Sequence, residues 1–174
     1  IGAGALGGGS FQTGETVAIG TSALGVLEGG AGNTAIGYQA MDTLTTGQLN
    51  VAVGHGALGA MVDGSYSVAV GYESFLIFEG DDDAGENTGC GYKTGLHVST
   101  GINNTFVGSS AGYGIDGTGG NGRLTGSHNT AIGKSAGFAL QAAAHSNTLV
   151  GKDAGDGVTT GYTNTCIGLE AGET

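Results

Sequence analysis

Short runs of alternating β-branched and small residues recur along this chain, each ending on a glycine. One place before that glycine stand Ile1, Ile19, Ile36, Val53, Val70, Cys90, Val107, Ile132, Val150 and Ile167. Three places before it stand Val17, Thr34, Val51, Val68, Thr88, Thr105, Thr130, Thr148 and Thr165, all β-branched. Residues two apart share one face of a strand, and β-branched side chains favour that backbone. The pattern predicts one short strand per word, with its β-branched pair facing the core. The residue between them is mostly alanine (Ala18, Ala35, Ala52, Ala69, Ala131), so the other strand face is expected to be small and flat. A helix is excluded, because the apolar columns follow a period of 2 rather than 3.6.

The glycines themselves are Gly2, Gly20, Gly37, Gly54, Gly71, Gly91, Gly108, Gly133, Gly151 and Gly168. Most are 17 residues apart, with one 20-residue and one 25-residue unit. Such a unit is too short for two helices or a propeller blade. It fits one coil of a parallel β-solenoid, so the reading is an all-β array of about ten coils filling residues 1–174 as a single domain. Four places before the glycine stand Asn33, Asn50, Asn87, Asn104, Asn129, Asn147 and Asn164. Stacked amides of this kind hydrogen-bond along the stack. Upstream, Thr-Gly pairs such as Thr46-Gly47 and Thr100-Gly101 are expected to turn the corner through a positive φ at glycine. Four places after the repeat glycine, Leu6, Leu24, Met41, Leu58 and Phe75 give way to Gly95, Gly112, Gly137, Gly155 and Gly172. Packing at that corner must change, which marks sub-blocks 1–86 and 87–174. The longer units predict bulges near 78–86 and 113–128.

Composition narrows the classes. Glycine fills 40 of 174 positions, yet proline is absent, which excludes collagen. A mean hydropathy of +0.09 and strict periodicity exclude a disordered linker. Acidic residues outnumber basic ones 15 to 4, for a net charge of −11. Lys93, Arg123, Lys134 and Lys152 are too few for a nucleic-acid-binding face. No 18-residue apolar run offers a membrane span. The thin core and the flat alanine face imply a homo-oligomer. The array opens and closes in mid-repeat without polar caps, so further chain or other subunits are expected beyond both ends.

No catalytic, cofactor or metal constellation emerges. Gly2 to Gly7 and Gly54 to Gly59 both read G-x-G-x-x-G, but no helix pattern follows either, as dinucleotide binding requires. His55, His97, His128 and His145 share no ligand spacing. Cys90 and Cys166 lie four coils apart in columns facing opposite ways, and read as small buried hydrophobes. The acidic run Asp81, Asp82, Asp83 reads first as a solvated loop; its oxygens make it a calcium candidate only second, since it lacks an EF-type alternation. In the longest loop, Tyr113, Asp116, Asn121 and Arg123 are candidate glycan or receptor contacts. Tyr38, Tyr72 and Tyr92 follow the repeat glycine and are expected to form a surface stripe.

The words Ser67 to Gly71, Thr16 to Gly20 and Asn50 to Gly54 resemble the head repeats of YadA-type trimeric autotransporter adhesins. The longer form at Thr100 to Ala111, Thr125 to Ala136 and Thr160 to Ala171 resembles repeats of phage tail-fibre proteins that precede a self-cleaving chaperone domain. The resemblance implies a left-handed β-roll, three chains wound about one axis, and an extracellular attachment fibre on a virion or cell surface. It implies a homotrimer that engages a cell-surface glycan or protein receptor, with neither enzymatic activity nor a cofactor. Two other classes compete. Ile36 to Met41 fits one hexapeptide of the left-handed β-helix acyltransferases, but Asp42 to Gly47 breaks the pattern those enzymes repeat three times per coil. The threonine column suits an ice-binding solenoid, but Val17, Val51 and Val68 interrupt it and no paired threonine column accompanies it.

Overall fold

Nine of the words form a three-residue strand among the described residues. These are β1 (Val17–Ile19), β2 (Thr34–Ile36), β3 (Val51–Val53), β4 (Val68–Val70), β5 (Thr88–Cys90), β6 (Thr105–Val107), β7 (Thr130–Ile132), β8 (Thr148–Val150) and β9 (Thr165–Ile167). They lie in one parallel sheet in chain order, β1 to β9. The computed structural model describes residues 2–7, 14–79, 85–115 and 122–173. The fold is an all-β solenoid of nine rungs, with no helix among the described residues.

Register follows the repeat column by column. Val17 pairs with Thr34 and Ile19 with Ile36; Thr34 pairs with Val51 and Ile36 with Val53. The longer units keep the same register: Val68 meets Thr88 across the 20-residue unit and Thr105 meets Thr130 across the 25-residue one. On the far side of each longer segment the coil is back in step, with the bridges Ser65–Gly85 and Val98–Leu124.

The faces are the reverse of the sequence expectation. The middle residue of each strand points inward: Ala35, Ala52, Ala69, Phe106, Ala131 and Leu149 are fully buried. The β-branched pair points out, with Ile19 45% and Ile132 40% exposed. The cause is geometric. A three-residue strand presents two side chains on one face and one on the other, and a 17-residue coil has room for one per strand. The rest of the interior is taken by residues from the turn, including Leu24, Leu27, Met41, Leu44, Leu58 and Met61.

That crowding accounts for the switch in the second sub-block. In the first coils an alanine in the strand faces a large residue at the corner, as in Ala35 with Met41 and Ala52 with Leu58. In the sixth and eighth strands the volumes exchange places, while in the seventh Ala131 keeps a small residue and Leu140 and Leu149 fill the space at Gly137. A Cβ on Gly112 would fall 2.5 Å from the Phe106 ring, and one on Gly155 would fall 2.5 Å from a Leu149 methyl. At the junction, Gly89 and Gly95 are both bare, and the Phe75 ring from the rung above fills the space against them. Phe75 also lies 5.9 Å from the Phe106 ring, centre to centre. Large and small residues thus alternate to keep the interior at close-packed density.

The corner glycines serve close approach rather than turn conformation. Gly47 and Gly101 do not take a positive φ. Instead a Cβ on Gly47 would run into the Gly64 carbonyl of the next coil. Many side-chain-bearing residues also take a positive φ, among them Leu24 (φ 51), Met41 (φ 50), Leu58 (φ 52) and Phe75 (φ 51). A left-handed residue with a Cβ costs roughly 1–2 kcal/mol. Complete burial of these four side chains offsets that cost, at about 1.5–3 kcal/mol each.

The asparagine column forms the expected ladder. Asn104 donates both its backbone N–H (2.9 Å) and its Nδ2 (3.2 Å) to Oδ1 of Asn87, and its own Oδ1 accepts the same pair from Asn129. Its Nδ2 also reaches the Gly126 carbonyl at 3.2 Å. All of this lies out of contact with water. Ser67 interrupts the column, and its hydroxyl accepts from the Asn87 amide at 3.4 Å. Asn104→Leu strands the buried Asn129 backbone N–H and removes the side-chain donor to the Gly126 carbonyl. Asn87 Oδ1 keeps the backbone N–H of residue 104, and Asn129 Nδ2 keeps the Ala144 carbonyl. The expected loss is about 1–3 kcal/mol, the cost of one stranded buried group. Asn104→Ser, which copies position 67, is expected to lose less. Urea unfolding followed by circular dichroism measures both.

Candidate functional site

Turning the β-branched pairs outward builds one continuous surface. Val17, Ile19, Val70, Val107, Ile132 and Ile167 are all exposed, the last at 68%. Thr34, Thr88, Thr105, Thr130, Thr148 and Thr165 line the parallel column beside them. Eight rung spacings of roughly 4.8 Å make this stripe about 38 Å long. It holds no charged side chain. Apolar surface in one block of this extent marks a contact site.

Beside the sheet, on the turn that follows each strand, the residues one place after the repeat glycine stack. Tyr38 and His55 rings are 5.0 Å apart, His55 and Tyr72 5.1 Å, and Tyr72 and Tyr92 5.5 Å. The tyrosine stripe read from the sequence is therefore a four-ring ladder, completed by a histidine. Next to it, Lys93 Nζ lies 3.3 Å from Glu73 Oε2 and 5.5 Å from the centre of the Tyr92 ring. Burial pushes the Glu73 carboxyl up, but the Tyr72 hydroxyl, the Lys93 ammonium and His55 outweigh it and hold it below its ordinary value. A group with a lowered folded pKa stabilises the fold above its unfolded pKa, and that contribution is lost as pH falls through the folded one. Lys93→Met is therefore expected to lower the thermal midpoint slightly at pH 7 and hardly at all at pH 3. Paired melts at the two pH values test this.

One rung interrupts the wall beside the ladder. Two, five and six places after the repeat glycine, the coil at Gly37 carries Gln39, Asp42 and Thr43, and the coil at Gly71 carries Glu73, Leu76 and Ile77. Between them, the coil at Gly54 carries only Gly56, Gly59 and Ala60. The result is a notch of about 390 Å³ lined by all of these residues and by His55. Its floor is tight. A Cβ on Gly59 would lie 3.0 Å from Leu76 Cδ1 and 3.6 Å from Asp42 Oδ1. Burial pushes the Asp42 carboxyl up, and the one bond acting against that comes from its own backbone. Thr43 Oγ1 is already committed to the Gly59 and Met61 carbonyls.

The sequence candidates fall elsewhere. Tyr113 is half-buried and stacked on Phe138, with ring centres 4.8 Å apart and planes 8° apart. Arg123 reaches Glu79 Oε1 at 3.0 Å, an ion pair between the 20-residue and the 25-residue units. Asp116, Asn121, Asp81, Asp82 and Asp83 lie outside the described residues. Among the described residues no three His, Cys, Asp or Glu side chains converge as a metal site. Cys90 is not buried as expected. It stands in the outward column and is exposed, whereas Cys166 faces inward and is half-buried; both are free thiols. Weighing Gly54 to Gly59 as a dinucleotide fingerprint does not reveal the notch. Comparing the columns rung against rung carries the signal: three small residues in one word, between large polar and apolar ones. Comparison of the chain with protein families, with curated proteins and with solved structures finds no match.

Proposed function

We propose that this chain is a stiff, non-enzymatic segment of an extracellular attachment fibre, of the kind found in phage tail fibres or trimeric surface adhesins. In it, three copies meet along their outward Thr/Val/Ile stripes. The observation that carries this reading is the stripe itself: nine in-register strands whose β-branched pairs face solvent in the single chain. A solenoid that leaves the outer face of its sheet uncovered gains most of its remaining apolar burial by association. The in-register ladder of asparagines and strands makes each coil a rigid extension of the last, which suits a rod that positions a receptor-binding surface. The Thr-Gly-x-x-Asn-Thr form of the second sub-block favours the tail-fibre setting. Sedimentation equilibrium is expected to give three times the 16.8 kDa chain mass. A folded monomer at micromolar concentration contradicts the reading.

The reversal of faces favours one alternative, since it places the threonine column on a flat outer sheet where an ice-binding solenoid needs it. The two readings exclude each other on this face, because a stripe covered by other copies has none left for ice. Thermal hysteresis together with a monomeric mass is the result that selects the ice-binding reading.

A further inference from the structure

We propose that the notch between the coils at Gly37 and Gly71 is a saccharide-binding site that takes one pyranose ring. The proposal deepens the attachment reading and rests on it for its biological setting. Its chemistry stands apart from the oligomeric state, since every lining residue belongs to one chain and to the turns rather than to the sheet face.

A pyranose needs an apolar surface for its C–H face and acceptors and donors around its rim for the hydroxyls. The notch supplies both. Leu76, Ile77 and Ala60 form the apolar wall, and Gly56 and Gly59 keep the floor at backbone level. Gln39, Asp42, Glu73 and His55 stand around the edge. The two carboxylates differ. Glu73 is engaged by Lys93 and by the Tyr72 hydroxyl, which fixes its position. Asp42 is partly desolvated and has no ion pair among the described residues, so, beyond the bond to its own backbone, its oxygens are the open acceptors. Hydroxyl donors to a carboxylate make short, charge-assisted bonds, and a vicinal diol supplies two at once. A neutral polyol also satisfies Asp42 without bringing a second anion to a chain of net charge −11. The volume of about 390 Å³ lies at the small end of ligand sites, which suits one sugar unit of a longer glycan.

His55 has a second role here. Its ring is clamped between Tyr38 and Tyr72, so both faces are covered and its edge alone meets the ligand. That holds a nitrogen at the rim in a fixed direction, a preorganisation that lowers the ordering cost of binding.

The test is saturation-transfer NMR and titration calorimetry of the full chain with the methyl glycosides of glucose, galactose, mannose and N-acetylglucosamine. At least one is expected to bind saturably with a millimolar Kd. Gly59→Leu, which copies Leu76 into the notch, is expected to abolish that binding while leaving the circular dichroism spectrum intact. Asp42→Ala is expected to weaken it tenfold or more, and decides the matter if the first variant does not fold. Absence of binding by all four glycosides overturns the proposal, as does binding unchanged in Asp42→Ala or equal binding of the open-chain polyol sorbitol. The sedimentation result is read separately: a monomer that binds the sugar defeats the fibre reading and keeps the notch, and a trimer that binds none does the opposite.

Discussion

Val53→Glu is expected to convert the assembled protein into a folded monomer. Val53 lies at the middle of the outward stripe, paired to Ile36 on one side and Val70 on the other. In a single chain its side chain is half-exposed, so a carboxylate there meets water and costs the coil little. In the proposed trimer the same position would be covered, and three carboxylates would be brought together out of water. Desolvating an unpaired charge costs several kcal/mol per ion, more than the burial of a valine returns. Native mass spectrometry should show the trimer peak replaced by one chain mass, with the β-sheet circular dichroism spectrum retained. Ala52→Glu, one residue away, points inward and is expected to unfold the chain instead. The opposite outcomes of these neighbours distinguish the observed orientation of the strand from the reverse one.

Phe75→Ala is expected to produce the largest loss of stability of any single core substitution. The ring fills space left by Gly89 and Gly95 and touches Phe78 and Phe106, so its removal opens a cavity shared by three coils. Buried phenylalanine-to-alanine changes cost about 3–5 kcal/mol. Gly95→Leu alone is expected to cost about 1–3 kcal/mol by overpacking, because its Cβ would fall 2.3 Å from a Phe75 ring carbon. Combined, the two should partly cancel. Leucine is tolerated at that column with positive φ, as Leu58 shows, and it enters the space that phenylalanine vacates. Denaturant unfolding of the two single variants and the double variant gives the coupling. Simple additivity contradicts the volume exchange between columns.

Much of this architecture was legible in the residues, for physical reasons. The strands were readable because β-branched residues at spacing two, ended by glycine, leave few other backbones open. The asparagine ladder was readable because identical amides in one column have an obvious partner above and below. The direction of the strand faces was not. Alternation specifies that two faces differ but leaves open which is inner, and the usual preference for Ile and Val inside held no weight in a coil with room for one inward side chain. The corner glycines misled for a related reason: Gly47 is required by the proximity of the Gly64 carbonyl in the next coil, which no local turn rule contains. The notch depends on contrast between successive rungs, so it is visible only once the register of Gly56 and Gly59 against Gln39, Asp42, Glu73 and Leu76 is known.

Cys90 offers the most direct measurement of where the copies meet. Its thiol stands in the outward column of β5 and is exposed in the single chain. With Cys166 replaced by Ser, the rate of Cys90 modification by a maleimide reports cover on the stripe without any alteration to the stripe itself. The account predicts strong protection in the native protein at micromolar concentration, and full reactivity in denaturant or after Val53→Glu. Reaction of native Cys90 at the rate of a free thiol would contradict it.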